Sequence, residues 1–402
     1  MKHQLDVQTR QINRVLSHHR IPAIVTGGTV RSRVVNFDLQ SQLTAGVERI
    51  RGLGDDLKAA LGVGGVSVSQ RDGFWRVRVP QPDESPVPLL KLLSSLPTVA
   101  PSTAVIGMAD GGQPVSVRFS SGRMSHILIA GEPGSGKTSL LRAIATGLAM
   151  TNRQSELQLQ ILDPKWEASV RPTATESPLI PLGYLPHMLT DPAFGMESCL
   201  SLIHFLAEEM NYRRREKVLF PRIVVLMDHV LAYLENITQA AKRDLYHLLQ
   251  YGHQAGIHLI IATDRPESPL LDSTIKASLS MRIIGRVDDI AVARRIAGIP
   301  LDQATLLYGE GDFLAVSGDE VTYFQAAHIG DYDLHHTIAH ITRNSRPILL
   351  AKPYSARPRL KAQSPPRNTS ARVFAINDGT IDMEGSSDPH EIGQDVDNEI
   401  PF

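Results

Sequence analysis

Apolar positions change their rhythm three times along the chain. Near the start Val7, Ile12, Val15 and Leu16 recur at helical spacing and predict an amphipathic helix. Up to about residue 100 the elements stay short: the alternating run Arg33 to Leu39, a helix over Asp55 to Leu61, and strands near Val66 to Ser69 and Phe74 to Val79, set apart by glycine pairs. The mixture predicts a small α+β domain over residues 1–100, bounded by the proline-rich stretch Pro80, Pro82, Pro86, Pro88, Pro97 and Pro101. Over residues 101–345 the runs become apolar throughout: HILIA from His126, LQLQILD to Asp163, RIVVLMD to Asp228, GIHLIIAT to Thr263 and MRIIGRV to Val287, with helical stretches between them. Strands that do not alternate are buried on both faces, so this region predicts an α/β domain with a parallel sheet covered by helices. No internal repeat is visible. Past residue 345 the periodicity stops, and residues 346–402 are expected to form a disordered tail.

Composition changes this picture only when it is read by region. Lys and Arg total 41 against 42 Asp and Glu, a net charge of -1 that points to no polyanionic partner. The first hundred residues hold 13 basic and 8 acidic groups, with Arg31, Arg33, Arg49, Arg51, Arg71, Arg76 and Arg78 prominent. The tail splits into seven basic residues from Arg346 to Arg372 and then eight acidic ones from Asp378 to Glu399. Overall neutrality is thus a sum of opposed blocks; the arginines of the first hundred residues read as solvated surface ahead of a nucleic-acid face, and the basic half of the tail is where added nucleic-acid affinity is expected. A single cysteine, Cys199, excludes a disulfide framework and suits a reducing compartment. No apolar run approaches the roughly 20 residues of a membrane span, and the first residues lack the apolar core of a secretory signal. The sequence therefore predicts a soluble, cytoplasmic protein with no membrane insertion.

The chemistry begins where HILIA runs into Gly131, Glu132, Pro133, Gly134, Ser135, Gly136, Lys137, Thr138 and Ser139, at the start of a helical stretch. Strand, glycine-rich loop and helix in this order form a P-loop. Its glycines let backbone N–H groups converge on phosphate oxygens, the helix N-terminus adds partial positive charge, Lys137 reaches the β and γ phosphates, and the Thr138 hydroxyl ligates Mg²⁺. A second strand ends in Asp228, placed to hold the same ion. ATP and Mg²⁺ are the cofactors this pairing predicts.

Several separated segments then match one family in order and spacing: the P-loop; Leu162 to Lys165; Leu185 to Leu189 with Glu209, Met210 and Arg213; the strand ending at Asp228; Ala255 to Pro266; Ile275 to Val287; and Gly309 to Leu314. Over residues 20–343 the chain resembles the motor part of the FtsK/SpoIIIE family of ring-forming DNA translocases. The resemblance implies a RecA-like core, six copies in a ring around double-stranded DNA, and ATP hydrolysis driving the duplex through the hole. The family's membrane-anchoring region and C-terminal winged-helix domain are not legible in this sequence. Binding to DNA is accordingly expected to rest on phosphate contacts and to weaken with salt.

At two positions the chain departs from the family pattern. His229 stands where that pattern has the glutamate that activates the attacking water, and Asp264 stands where it has a glutamine. One expectation is a relocated carboxylate, with Asp264 orienting the water and His229 accepting or relaying its proton. The other is a site that binds ATP without efficient hydrolysis, which would make the protein a nucleotide-gated DNA-binding scaffold ring. A third, remoter reading is a protein-secretion ATPase, since such motors share this core. Arg282 and Arg286 lie at arginine positions of the family, and Arg282 is the candidate finger that completes a neighbour's γ-phosphate site. Arg265 is read as holding its turn, and Arg213, Arg214 and Arg215 as a solvated helix face.

Overall fold

In the computed structural model the described residues are 2–30, 34–41, 52–63, 66–71, 74–80, 86–109, 112–119, 126–166, 177–299 and 303–344, with 376–377 and 380–381. Apart from that last short pairing, the tail expectation lies outside the described residues, as do Arg31, Arg33, Arg49 and Arg51.

The first elements are α1 (Lys2–His18), β1 (Ala23–Val30), β2 (Val34–Ser41), α2 (Gly54–Leu61), β3 (Ser67–Arg71) and β4 (Phe74–Pro80). The strands make an antiparallel sheet in the order β1-β2-β4-β3. Alternation decides its faces. Val35, Phe37, Leu39, Trp75, Val77 and Val79 pack with Ile12 and Leu16 of α1 and Leu57 of α2, each burial contributing roughly 1.5–3 kcal/mol. On the other face Arg76 Nε donates to Asp38 at 2.6 Å, and Arg78 Nε donates to the Asn36 side chain at 3.3 Å. The periodicity passes over β1 because Gly27 and Gly28 read as a separator. In the structure β1 bulges at this point, and a Cβ on Gly28 would come within 2.3 Å of the Asn36 carbonyl oxygen.

The second sheet is assembled from β5 (Val87–Pro88), β6 (Thr103–Ala109), β7 (Pro114–Arg118), β8 (His126–Ala130), β9 (Leu157–Asp163), β10 (Ala193–Phe194), β11 (Arg222–Met227), β12 (Ile257–Thr263), β13 (Leu279–Ile284), β14 (Asp312–Ser317) and β15 (Glu320–His328). Its order is β10-β9-β11-β12-β8-β13-β14-β15-β6-β7, with β5 beside β15. From β10 to β13 every pairing is parallel, and from β13 to β7 every pairing along that order is antiparallel. The parallel half matches the sequence expectation, and it places β12 between β8 and β11. Strands β6, β7, β14 and β15 of the antiparallel half were not read as strands from the sequence.

Helices cover both faces. Alternate residues of β8, β9 and β11, such as Ile127, Ile129, Leu159, Ile161, Val224 and Leu226, meet α3 (Leu89–Ser95), α4 (Lys137–Thr151) and α10 (Asp331–Asn344). The intervening residues, such as Leu128, Ile223, Val225 and Met227, meet α5 (Met196–Glu216), α6 (Val230–Glu235), α7 (Gln239–Tyr251), α8 (Ser273–Ser278) and α9 (Ile290–Ala297). No helix among the described residues is long and apolar enough to cross a membrane.

One reading of the arginines is corrected here. Arg214 and Arg215 are exposed, but Arg213 is 1% exposed. It pairs with Glu209 one turn earlier at 2.8 Å and donates to the Pro221 carbonyl at 2.6 Å, fastening the end of α5 to the segment that enters β11. Removing it would strand a largely buried carboxylate. We expect Arg213→Ala to destabilise the fold by roughly 3–5 kcal/mol and Arg214→Ala or Arg215→Ala by under about 0.5 kcal/mol, measured by denaturant unfolding.

At the opposite end of the strands from the P-loop, His126 is fully buried and its Nδ1 accepts from the Leu259 amide at 2.9 Å. Burial, then His258 and His253 nearby, push its pKa from 6.5 down to about 3. A base with a depressed folded pKa stays neutral while the unfolded chain takes up the proton, so its contribution to stability falls as pH drops from 6.5 towards about 3. That amounts to roughly 1.4 kcal/mol per pH unit. His126→Gln should flatten the loss of unfolding free energy between pH 6.5 and 5 by roughly 2 kcal/mol; an unchanged slope would contradict the assignment.

Candidate active site

The P-loop leaves the buried end of β8 at Ala130 and turns into α4 at Lys137. No side chain caps α4, so its first N–H groups point into the loop. Lys137 is 9% exposed, and its Nζ donates to the carbonyls of Gly131 at 2.8 Å and Glu132 at 2.9 Å. Burial lowers its pKa against the opposing pull of Asp228, Asp264 and Glu132. The ammonium is therefore held over the loop and lies in the field of the acids beside it.

The loop is braced along the β13 to β15 side by backbone. The Gly285 amide donates to Ala130 and the Glu132 amide to Arg286, while the Glu310 and Gly311 amides donate to Gly134 and Ser135 at 3.0 and 2.9 Å. The Glu132 carboxylate accepts from the Asp288 amide at 2.7 Å. Gly136 has φ 97°, and a Cβ there would come within 2.7 Å of the Gly311 nitrogen. Asp312 closes the Gly309 to Gly311 turn by accepting from the Tyr308 amide and the Tyr323 hydroxyl. At the start of α4, Ser139 Oγ lies 2.9 Å from His328 Nδ1.

On the β11 side the contacts are made by side chains. Thr138 Oγ1 donates to Asp228 Oδ2 at 2.6 Å, which joins the two residues expected to hold the ion. Asp228 is 1% exposed, and its other oxygen accepts from the His229 amide at 2.9 Å. His229 adopts φ 47°, a left-handed conformation, and its ring turns back to Asp163, with Nδ1 at 3.1 Å from Oδ1. Asp163 is fully buried and accepts from Ser177 Oγ at 2.8 Å. Burial opposes charge on His229, but the Asp163 hydrogen bond and the field of Asp228 and Asp163 outweigh it and raise its pKa. Ligand atoms of Asp163, Asp228 and His229 all lie within 4.8 Å of one another. The Thr138 hydroxyl and the Asp228 carboxylate form a hard oxygen donor pair that fits a small divalent cation.

The structure thus brings together Lys137, Thr138, Asp228 and His229. Asp264 follows β12 beside them, near enough to act on Lys137, while its own carboxylate lies 4.0 Å from Arg265 Nε. Arg265 pairs with Glu235 at 2.7 Å, which ties its turn to α6. Arg282 sits mid-strand on β13 and donates to the Ala297 carbonyl at the end of α9. Arg286 lies exposed next to the loop, 3.1 Å from Asp288. Sequence reading passed over Asp163 as a functional group. The usable signal is register: Leu162 pairs with Met227, so the aspartates that follow them stand side by side.

A parallel sheet carrying a P-loop at the end of a central strand, with Thr138 and Asp228 in contact beside it, defines a P-loop ATPase. Residues 93–222 match the FtsK/SpoIIIE family. The chain is 23% identical over 377 residues to DNA translocase SftA of Bacillus subtilis (strain 168), covering 86% of this chain and 38% of that protein. It is 24% identical over 365 residues to DNA translocase SpoIIIE of the same organism, covering 83% of this chain and 45% of that protein. The chain spans about two-fifths of the length of these relatives. Among solved structures it is similar to the pCW3 conjugation coupling protein TcpA, monomer form with ATPγS, with a TM-score of 0.56 at 18% identity over 84% of this chain and 99% of that one. It is also similar to the cytoplasmic domain of the type VII secretion ATPase EccC of Thermomonospora curvata, with a TM-score of 0.54 at 19% identity over 73% of this chain and 39% of that one. These two likenesses concern the fold.

Gly136→Ala should weaken binding of a fluorescent ATP analogue at least tenfold, about 1.4 kcal/mol, because the loop must leave Gly311 to admit the methyl group. Gly134→Ala meets nothing within 4 Å and carries only the backbone strain of its φ of 82°, so it should cost less.

Proposed function

We propose that this protein is an ATP-driven translocase of double-stranded DNA, working in the cytoplasm as a ring of six identical subunits. The observation that carries the reading is the contact of Thr138 with Asp228 beside Lys137, in a chain whose relatives include proteins named DNA translocases. Backbone amides of Gly131 to Ser139 would cradle the phosphates, with Lys137 on the β and γ groups. Thr138 and Asp228 would hold Mg²⁺, which supplies charge neutralisation between the β and γ oxygens. His229 and Asp264 flank the place of the attacking water. A neighbouring subunit would complete the site with an arginine. Arg282 is the residue that the family pattern nominates, and Arg286 is the more exposed of the two. Residues 1–100 would act as a separate small domain, 101–345 as the motor and 346–402 as a charged tail.

A second reading is a scaffold ring that binds nucleotide and DNA without hydrolysis, and the histidine at position 229 favours it. Turnover separates the two. The translocase reading expects ATP hydrolysis stimulated by long duplex DNA and abolished in Lys137→Ala. It also expects an affinity for duplex that falls by roughly 10²-fold or more between 50 and 200 mM salt. Nucleotide-dependent rings without turnover would favour the scaffold, and turnover indifferent to DNA would sink both.

A further inference from the structure

The family pattern has a carboxylate at position 229, which needs no help in accepting a hydrogen bond from water. An imidazole does, because only one of its nitrogens can accept and the other carries the proton. In this chain the choice is made by Asp163. A carboxylate accepts only, so the ring nitrogen 3.1 Å from Asp163 Oδ1 must be the protonated one, and Nε2 is left as the atom that faces away. Asp163 is itself locked. It is fully buried at the end of β9, its Oδ2 accepts from Ser177 Oγ at 2.8 Å, and the Gly195 amide donates to its backbone carbonyl at 3.1 Å. The ring is locked from the other end too: the left-handed backbone at His229 and its amide bond to Asp228 leave the side chain little freedom. The charged groups acting on the imidazole are Asp163, Asp228 and Lys165.

We propose that Asp163 is a positioning residue for ATP hydrolysis, fixing the orientation and tautomer of His229 so that Nε2 accepts a hydrogen bond from the attacking water. Asp163 and His229 together do what the single carboxylate does in the family pattern. The inference rests on the hydrolysis reading above and assigns its water-orienting contact. In the step itself the water oxygen bonds to the γ phosphorus as the bond to the bridging oxygen breaks, the electron pair leaves on ADP, and both protons of the water leave with the phosphate. Phosphoryl transfer of this loose kind depends on alignment of the nucleophile, so a hydrogen-bond acceptor held in line is the contribution required.

The test is a double-mutant comparison on the full chain, assayed with duplex DNA at about pH 8.5, well above the ordinary imidazole value. Asp163→Asn keeps the shape but can turn an N–H towards the ring. It should lower kcat by about 10²-fold or more with KM for ATP within about twofold. In a His229→Glu background, where no ring needs orienting, the same change should alter kcat by less than about threefold. Equal losses in both backgrounds would make Asp163 a structural residue, and a raised Mg²⁺ requirement in both would make it an ion ligand. Either result overturns the proposal. Nitrogen-15 NMR of the histidine-labelled wild type, with His229→Gln to assign the signal, should show the Nδ1–H form at His229; the Nε2–H form overturns the proposal even if Asp163→Asn fails to fold. A wild type without turnover refutes the hydrolysis reading, and the nitrogen signal then decides alone whether Asp163 fixes the ring.

Discussion

The level at which the parallel strands end is the constraint on which this site depends. Leu162 pairs with Met227, Met227 with Ile261, and Thr263 with Ala130, so β9, β11, β12 and β8 finish within a residue or two of one another. That register is imposed by burial. Each strand is buried on both faces, and a slip of one residue would exchange the side chains that meet α4 for those that meet α5. Once the apolar residues are satisfied, the first polar residue after each strand has no choice of place. Asp163, Asp228, Asp264 and the P-loop emerge together, and Thr138 reaches Asp228 at 2.6 Å.

The two flanks of the loop are built from different materials. On the β13 to β15 side the P-loop is held by main-chain hydrogen bonds from Gly285, Glu310 and Gly311, which are insensitive to side-chain identity. Facing β11 it meets carboxylates, a hydroxyl and an imidazole, all able to change partner or charge. A brace of backbone on one flank lets the other vary without loss of the phosphate cradle. Positions 229 and 264 can therefore differ while Lys137 stays over the loop and Thr138 stays on Asp228.

Much of this was legible in the sequence, and the parts that were not share a cause. The P-loop and the strand ending at Asp228 announce themselves locally, through spacing and apolar runs, and the parallel half of the sheet follows from uniform apolarity. Asp163 does not. It reads as a strand-ending acid like many others, and its meaning comes from a partner 66 positions away. Arg213 reads as one of three exposed arginines, yet its neighbours across the fold are the carbonyls of Pro221 and Ala255, which periodicity cannot supply. Strand β1 was hidden by Gly27 and Gly28, which weaken the local signal, while Gly28 permits the close approach to β2.

His229 and Asp163 form one unit in this structure, the ring of the first resting on the carboxylate of the second. A glutamate there would act through its own oxygens and leave Asp163 with Ser177 alone. A histidine offers a donor at one end and an acceptor at the other, and finds in Asp163 a buried acceptor already held in place. The left-handed backbone at 229 is tolerated because two hydrogen bonds, from its amide to Asp228 and from its ring to Asp163, repay the strain of roughly 1–2 kcal/mol. Those two hydrogen bonds hold the ring against its partner, so the conformation that costs the chain stability is also the one that brings the imidazole to Asp163.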